Sequence, residues 1–263
     1  MSERDDYPAG VPCWVTCLAP DVPAAFAFYG ELFDWSFATD DTERYAVASL
    51  GGREVAGIGS LAEAGPDAHA AWITEVRVDS AEAAAEAALA AGGQVLAGPM
   101  DMSPAGHLVV LADPTGAVVC GWEAQARAGA QVVNEPGAWA MSALRTPDAE
   151  GAAAFYGAVF GWEREAFGPM TMWRRPGYVG GEPEQPVPRD VVAAMEPEAP
   201  GGEPARWGVD FWIADADAAA ATAERRGGAV LEAPADAGPF RSAVLADPAG
   251  ASFSVSQLLA TPG

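Results

Sequence analysis

The chain contains no lysine; all 14 of its strongly basic residues are arginine. A Schiff-base mechanism is therefore excluded, since it needs a lysine amine. Basic charge of any kind is scarce, and 37 Asp and Glu leave a formal net charge of −23. So acidic a chain repels phosphate backbones and anionic lipid, which argues against nucleic-acid and membrane-surface partners. Its acidity reads as solubility. The first residues, Met-Ser-Glu-Arg-Asp-Asp-Tyr-Pro, lack the apolar core of a signal peptide, and no run reaches membrane-spanning length. Cysteines number only 3: Cys13, Cys17 and Cys120. The first two lie about 13 Å apart along a strand and cannot bridge each other there. An odd set of free thiols fits a reducing cytoplasmic setting. Histidines number 2, His69 and His107.

What the chain does have is apolar content, 50% of its 263 residues, enough for two modest cores. It also has a repeat. Asp21 opens a stretch ending Phe28-Tyr29-Gly-Glu-Leu32-Phe33-Asp-Trp35, and Asp148 opens one ending Phe155-Tyr156-Gly-Ala-Val159-Phe160-Gly-Trp162. Asp21 to Asp148 and Trp35 to Trp162 share one offset, 127. Each Asp suits a helix N-cap, where its carboxylate satisfies free N–H groups. The pairs Phe28/Leu32 and Tyr29/Phe33 form an apolar stripe, repeated by Phe155/Val159 and Tyr156/Phe160.

Residues 11–19 read as a strand before the first helix, and 44–49 with 53–59 as two strands around Gly51-Gly52. Residues 71–95 read as strand, helix, Gly-Gly stop and strand. The stretch 107–123 reads as a hairpin turning at Asp113-Pro114-Thr115-Gly116. The second half repeats this order: Trp72 matches Trp207 at an offset of 135, and Asp113 matches Asp247 at 134. About eight extra residues thus enter the second copy among 174–205, a Pro- and Gly-rich stretch read as an enlarged surface loop. The expected domains are 9–127 and 138–259, joined by a linker at 128–137.

Four βαβββ units, paired Asp-capped Phe-Tyr helices and Asp-Pro-x-Gly hairpins resemble the vicinal-oxygen-chelate superfamily. It includes glyoxalase I, bleomycin- and fosfomycin-resistance proteins and extradiol dioxygenases. The likeness is to its tandem two-domain actinobacterial members, among them a mycobacterial antigen and a daunorubicin-pathway auxiliary protein. It implies an α+β fold: four βαβββ units forming two glyoxalase/bleomycin-resistance-like domains, each with an open cup-shaped mixed sheet. Metal-binding members place His or Glu on the first, fifth and last strands of a cup. By the resemblance these positions fall on Trp14, Ile73 and Cys120 in one domain and on Met141, Gly208 and Ser254 in the other. Neither set holds zinc, iron or manganese. The expectation is a cup without metal or other cofactor.

Strand alternation collects the residues sharing each cup. The first holds Trp14, Thr16, Leu18, Ile73, Glu75, Arg77, Val118, Cys120 and Trp122. The second holds Met141, Ala143, Arg145, Gly208, Asp210, Trp212, Ser252, Ser254 and Ser256. Trp14 and Trp122 either form a wall for a flat aromatic ligand or fill a closed cup as core. Trp35, Trp72, Trp162 and Trp207 recur at equivalent positions and suit packing. Glu75 and Asp210 serve either as general base and hydrogen-bond partner or as halves of internal ion pairs, with Arg77 and Arg145 respectively. Cys120 suits an inert buried thiol, and His107 a rim contact or an exposed strand start.

Three functions follow. The leading one is metal-independent binding of a small, flat, hydrophobic or aromatic metabolite, as a sequestering or pathway-auxiliary protein. The second is a metal-free lyase, isomerase or tailoring enzyme on an aromatic polyketide-like substrate. Glu75 or Asp210 would be its base, with Arg145, Ser254 or His107 polarising an oxygen. The third is an interaction protein with filled cups. The sequence leaves open whether the chain is an enzyme. A monomer is expected over a dimer, because four tandem units already make the contacts that single-domain relatives make by pairing.

Overall fold

The computed structural model describes residues 4–39, 44–65, 68–168, 170–180, 188–196 and 204–259. The first half runs β1 (Pro12–Ala19), α1 (Val22–Phe33), β2 (Ser36–Thr39), β3 (Tyr45–Leu50), β4 (Arg53–Ser60), β5 (Ala71–Arg77), α2 (Ala81–Ala90), β6 (Gln94–Asp101), β7 (Gly106–Ala112) and β8 (Val118–Ala124). The second runs β9 (Trp139–Arg145), α3 (Ala149–Phe160), β10 (Glu163–Phe167), β11 (Met170–Arg174), β12 (Val191–Glu196), β13 (Arg206–Trp212), α4 (Ala216–Arg225), β14 (Ala229–Ala237), β15 (Phe240–Ala246) and β16 (Ser252–Leu258). Each half makes one eight-stranded sheet, ordered β2-β3-β4-β1-β5-β8-β7-β6 and β10-β11-β12-β9-β13-β16-β15-β14. Both are mixed: β1 runs parallel to β4 and antiparallel to β5, which runs parallel to β8. Each is an open cup. One sequence expectation needs correction: within the stretch read as an enlarged loop, Val191–Glu196 is strand β12, pairing with β9 and β11. Part of that stretch, 181–187 and 197–203, lies outside the described residues.

The helices start where their caps dictate. Asp21 accepts from Ala24 N at 2.9 Å and Asp148 from Gly151 N at 2.8 Å. Ser80 and Asp215 cap α2 and α4 in the same way. The helix α2 presents Ala81, Ala84, Ala85 and Ala88 to the core, and α4 presents Ala216, Ala219, Ala220 and Ala223. Methyl-only faces let both helices lie close against their sheets.

The apolar stripe of each duplicated helix packs into the opposite half. Phe28 of α1 meets Phe253 of β16 with ring centroids 6.3 Å apart. Tyr29 Oη donates to Asp247 Oδ2 at 3.0 Å and accepts from Trp72 Nε1 at 3.0 Å. The reciprocal brace has Tyr156 donating to Asp113 at 3.0 Å and accepting from Trp207 at 2.9 Å. Gly93 and Gly228, which follow α2 and α4, are needed for this fit. A Cβ on Gly93 would come within 2.4 Å of the Phe155 ring, and one on Gly228 within 2.9 Å of Phe28. At the centre Thr74 Oγ1 and Ser142 Oγ lie 2.7 Å apart. The two sheets thus meet back to back, and the cups face outward.

Candidate functional site

The register sets Trp14 beside Glu75 and Glu75 beside Cys120 across three neighbouring strands. The matching row in the second cup is Met141, Asp210 and Ser254. The fifth-strand members of these rows are thus Glu75 and Asp210, two residues beyond the expected Ile73 and Gly208.

The first cup is filled by its own side chains. Trp14 and Trp122 are fully buried, and the Arg127 guanidinium carbon lies 4.9 Å from one ring centroid and 4.5 Å from the other. Trp14 Nε1 donates to Tyr45 Oη at 2.9 Å, and Arg127 Nη1 donates to the same oxygen at 3.0 Å. Thr16 Oγ1 donates to Glu75 Oε1 at 2.7 Å. Tyr45 can enter only because Gly57 faces it: a Cβ there would sit 2.0 Å from Tyr45 Oη. Of the two roles open for the tryptophan pair, the structure gives them core packing around an internal cation. Burial pushes the Glu75 carboxyl up, opposed by Arg127 and the Thr16 hydrogen bond. Cys120 is buried, and burial with Glu75 nearby holds its thiol well above the usual range, so it is a poor nucleophile. All three cysteines are buried and free.

Two residues expected to serve this cup bond elsewhere. Arg77 Nη1 bonds the carbonyl of adjacent Val78, so the cation interacting with Glu75 is Arg127 and not Arg77. His107 pairs in register with Glu123, whose carboxylate accepts from Ala81 N at the start of α2. His107 is therefore on the helix-bearing face, opposite the cup. Its counterpart Arg241 likewise bonds Asp217 in the first turn of α4.

In the second cup, smaller or more flexible residues take the equivalent places. Met141 stands for Trp14, Met170 for Tyr45, Gly208 for Ile73, Ser242 for Leu108 and Ser256 for Trp122. Met141, Ala143, Trp212 and Ser254 are half-buried, and Gly208 is exposed. Trp212 and Phe240 form an aromatic side, their ring centroids 6.1 Å apart. Asp210 is half-buried, and Oδ1 accepts from Ser256 Oγ at 2.8 Å; Ser242 Oγ lies 2.9 Å from that hydroxyl. The expected pairing of Arg145 with Asp210 is not what forms: Arg145 Nε donates to Glu196 Oε2 at 3.0 Å.

Burial raises the Asp210 carboxyl to about 7; the Ser256 hydrogen bond opposes the shift and the Glu196 charge adds to it. Its folded value exceeds the unfolded one of about 4, so its contribution is fully present below about pH 4 and is lost as pH rises toward 7. Because solvent reaches this carboxyl, the expected loss is only about 1–2 kcal/mol over that window. Asp210→Asn should flatten that part of the pH dependence in urea titrations from pH 4 to 8. Parallel curves for the two proteins would refute the assignment.

A model of the glyoxalase-like domain matches residues 14–121 and again 139–256. The chain belongs to the glyoxalase-like family. CFP32, a candidate glyoxylase of Mycobacterium tuberculosis, is 36% identical over 261 residues, covering 97% of each chain. The anthracycline biosynthesis protein DnrV of Streptomyces peucetius is 31% identical over 267 residues, covering 96% of this chain and 94% of that protein. The Mn(II)-bound glyoxalase of Novosphingobium aromaticivorans superposes with a TM-score of 0.64 at 16% identity, covering 96% of this chain and 83% of that one. At that identity the likeness is one of fold. The chain is a tandem two-domain member of the vicinal-oxygen-chelate superfamily.

The Novosphingobium glyoxalase holds Mn(II), and the residues here do not fit a metal. Each row across β1, β5 and β8, or β9, β13 and β16, offers one carboxylate beside Trp and Cys or beside Met and Ser. Among the described residues no group of three or more His, Cys, Asp or Glu is placed to hold a metal ion. No described helix is long and apolar enough to cross a membrane. The residues that sequence reasoning missed are Arg127, Tyr45 and Gly57. Arg127 falls at the expected domain edge, and nothing in its sequence surroundings marks it as turning back into the cup.

Proposed function

We propose that the second cup binds a small, flat aromatic metabolite through its apolar wall and the Asp210 carboxyl, with no metal, as a sequestering or pathway-auxiliary protein. The observation that carries this reading is the contrast between the cups: one has the smaller Gly208, Ser242 and Ser256 at the positions where its twin holds Ile73, Leu108 and Trp122. Trp212, Phe240 and Met141 supply apolar surface for a ring system. A carboxyl near neutrality can donate a hydrogen bond to a ketone or accept one from a phenol. The 31% identity to a protein of anthracycline biosynthesis supports a polycyclic ligand bearing such oxygens.

Calorimetric titration with a hydroxyanthraquinone tests this. Trp212→Ala should weaken binding by about 10-fold or more, since one buried aromatic contact contributes on that order. Trp14→Phe should leave affinity unchanged. The opposite pattern would move the ligand to the first cup and defeat the proposal.

A second reading has one observation in its favour, the raised carboxyl of Asp210. A base tuned near neutrality suits proton transfer on an aromatic polyketide-like substrate. Asp210→Asn separates the two: a binding protein converts no substrate and loses the part of its affinity that the carboxyl supplies, whereas an enzyme converts its substrate and loses turnover by far more than affinity.

A further inference from the structure

The first cup has the chemistry of a receptor. Three aromatic rings, Trp14, Trp122 and Tyr45, surround one guanidinium, with carbon-to-centroid distances of 4.9, 4.5 and 5.4 Å. Glu75 supplies a buried carboxylate to the same group, and its Oε2 has no hydrogen-bond partner among the described residues. Negative ring faces with a carboxylate behind them are the features that recognise cations. The gap between two indoles suits a planar one. Arg127 occupies the box from the segment joining β8 to β9. Its backbone is fixed there independently: Trp122 Nε1 donates to Arg127 O at 2.9 Å, and Arg127 N donates to Ala105 O at 3.2 Å. The main chain can therefore hold its course without the side chain.

We propose that the first cup is a binding site for a planar cation, of the guanidinium class, which Arg127 fills in cis. The box and its occupant belong to one chain, so a free competitor meets a tethered one at an effective concentration in the millimolar range or higher. The intact protein accordingly takes up no added guanidinium, and the site becomes accessible when the Arg127 side chain is removed. The second cup differs in kind, since Met141 and Ser256 replace the two indoles. Its ligand and that of the first cup are thus distinct.

The experiment is chemical rescue of Arg127→Ala in the full chain, read as thermal midpoint. The probes are methylguanidinium and N-methylurea, which is neutral and similar in shape. At about ten times its dissociation constant, methylguanidinium should raise the midpoint of the variant by about 3 °C and leave the parent unmoved. N-methylurea should raise neither. Combining Arg127→Ala with Glu75→Gln should abolish the selectivity for the cation. If Arg127→Ala is recovered only unfolded, its refolding yield with each probe reads the same preference. An equal response to both probes, or a response to neither, overturns the proposal, because the cup is then only packing material around an arginine.

Discussion

Asp247→Ala is expected to destabilise the whole chain by about 3–5 kcal/mol, because it strips the acceptor from three donors at once, two of them on fully buried residues. Asp247 accepts from Tyr29 Oη at 3.0 Å, from Ala249 N at 2.9 Å and from Ala251 N at 2.9 Å. The residue is 5% exposed, so water cannot readily replace it. Two of the bonds shape the turn between β15 and β16, and the third reaches α1 in the other half. The loss should therefore appear as one cooperative urea transition moved to lower denaturant for both halves. Asp113→Ala should match it, since Asp113 accepts from Tyr156 at 3.0 Å, Thr115 N at 2.8 Å and Ala117 N at 3.0 Å. Removing the exposed helix cap with Asp21→Ala should cost only about 1 kcal/mol. Equal effects for Asp247→Ala and Asp21→Ala would show that the brace between the halves contributes little.

That brace was half-legible in the sequence. The duplicated helix could be read because caps and i,i+4 spacing are local, and Asp21 and Asp148 cap as their positions imply. Tyr29 and Tyr156 were legible as apolar stripe. Their destinations were not, because a hydroxyl's partner in the other half leaves no local signal. The available clue was that both tyrosines and both hairpin aspartates are duplicated, and a buried tyrosine needs an acceptor. Strand β12 was hidden for a different reason. Val191–Glu196 is a short apolar run in a stretch dense with Pro and Gly, and a central strand buried on both faces shows no alternation. Cup membership could be read from period two, but occupancy could not. Whether Trp14 and Trp122 enclose a ligand or Arg127 depends on a fold-back of the segment after β8 and on Gly57 admitting Tyr45.

Occupancy is also what the most severe binding variant should reveal. Gly208→Leu is expected to cut affinity for an aromatic ligand by about 100-fold or more, since it inserts an isobutyl group where the first cup carries Ile73. The protein itself should tolerate the change. The nearest atom to a Cβ at Gly208 is Ala143 O at 3.8 Å, an ordinary contact, and the position is exposed within a strand. Stability should stay within about 1 kcal/mol of the parent, because replacing a strand glycine removes backbone entropy from the unfolded chain. Gly208→Ala sets the scale: a methyl group at 3.8 Å from its neighbour should leave binding nearly intact. The converse, Ile73→Gly, should not create a second ligand site, because Arg127 still stacks between Trp14 and Trp122. A Gly208→Leu protein that folds and binds like the parent would place the ligand outside the second cup, whatever the residues lining it suggest.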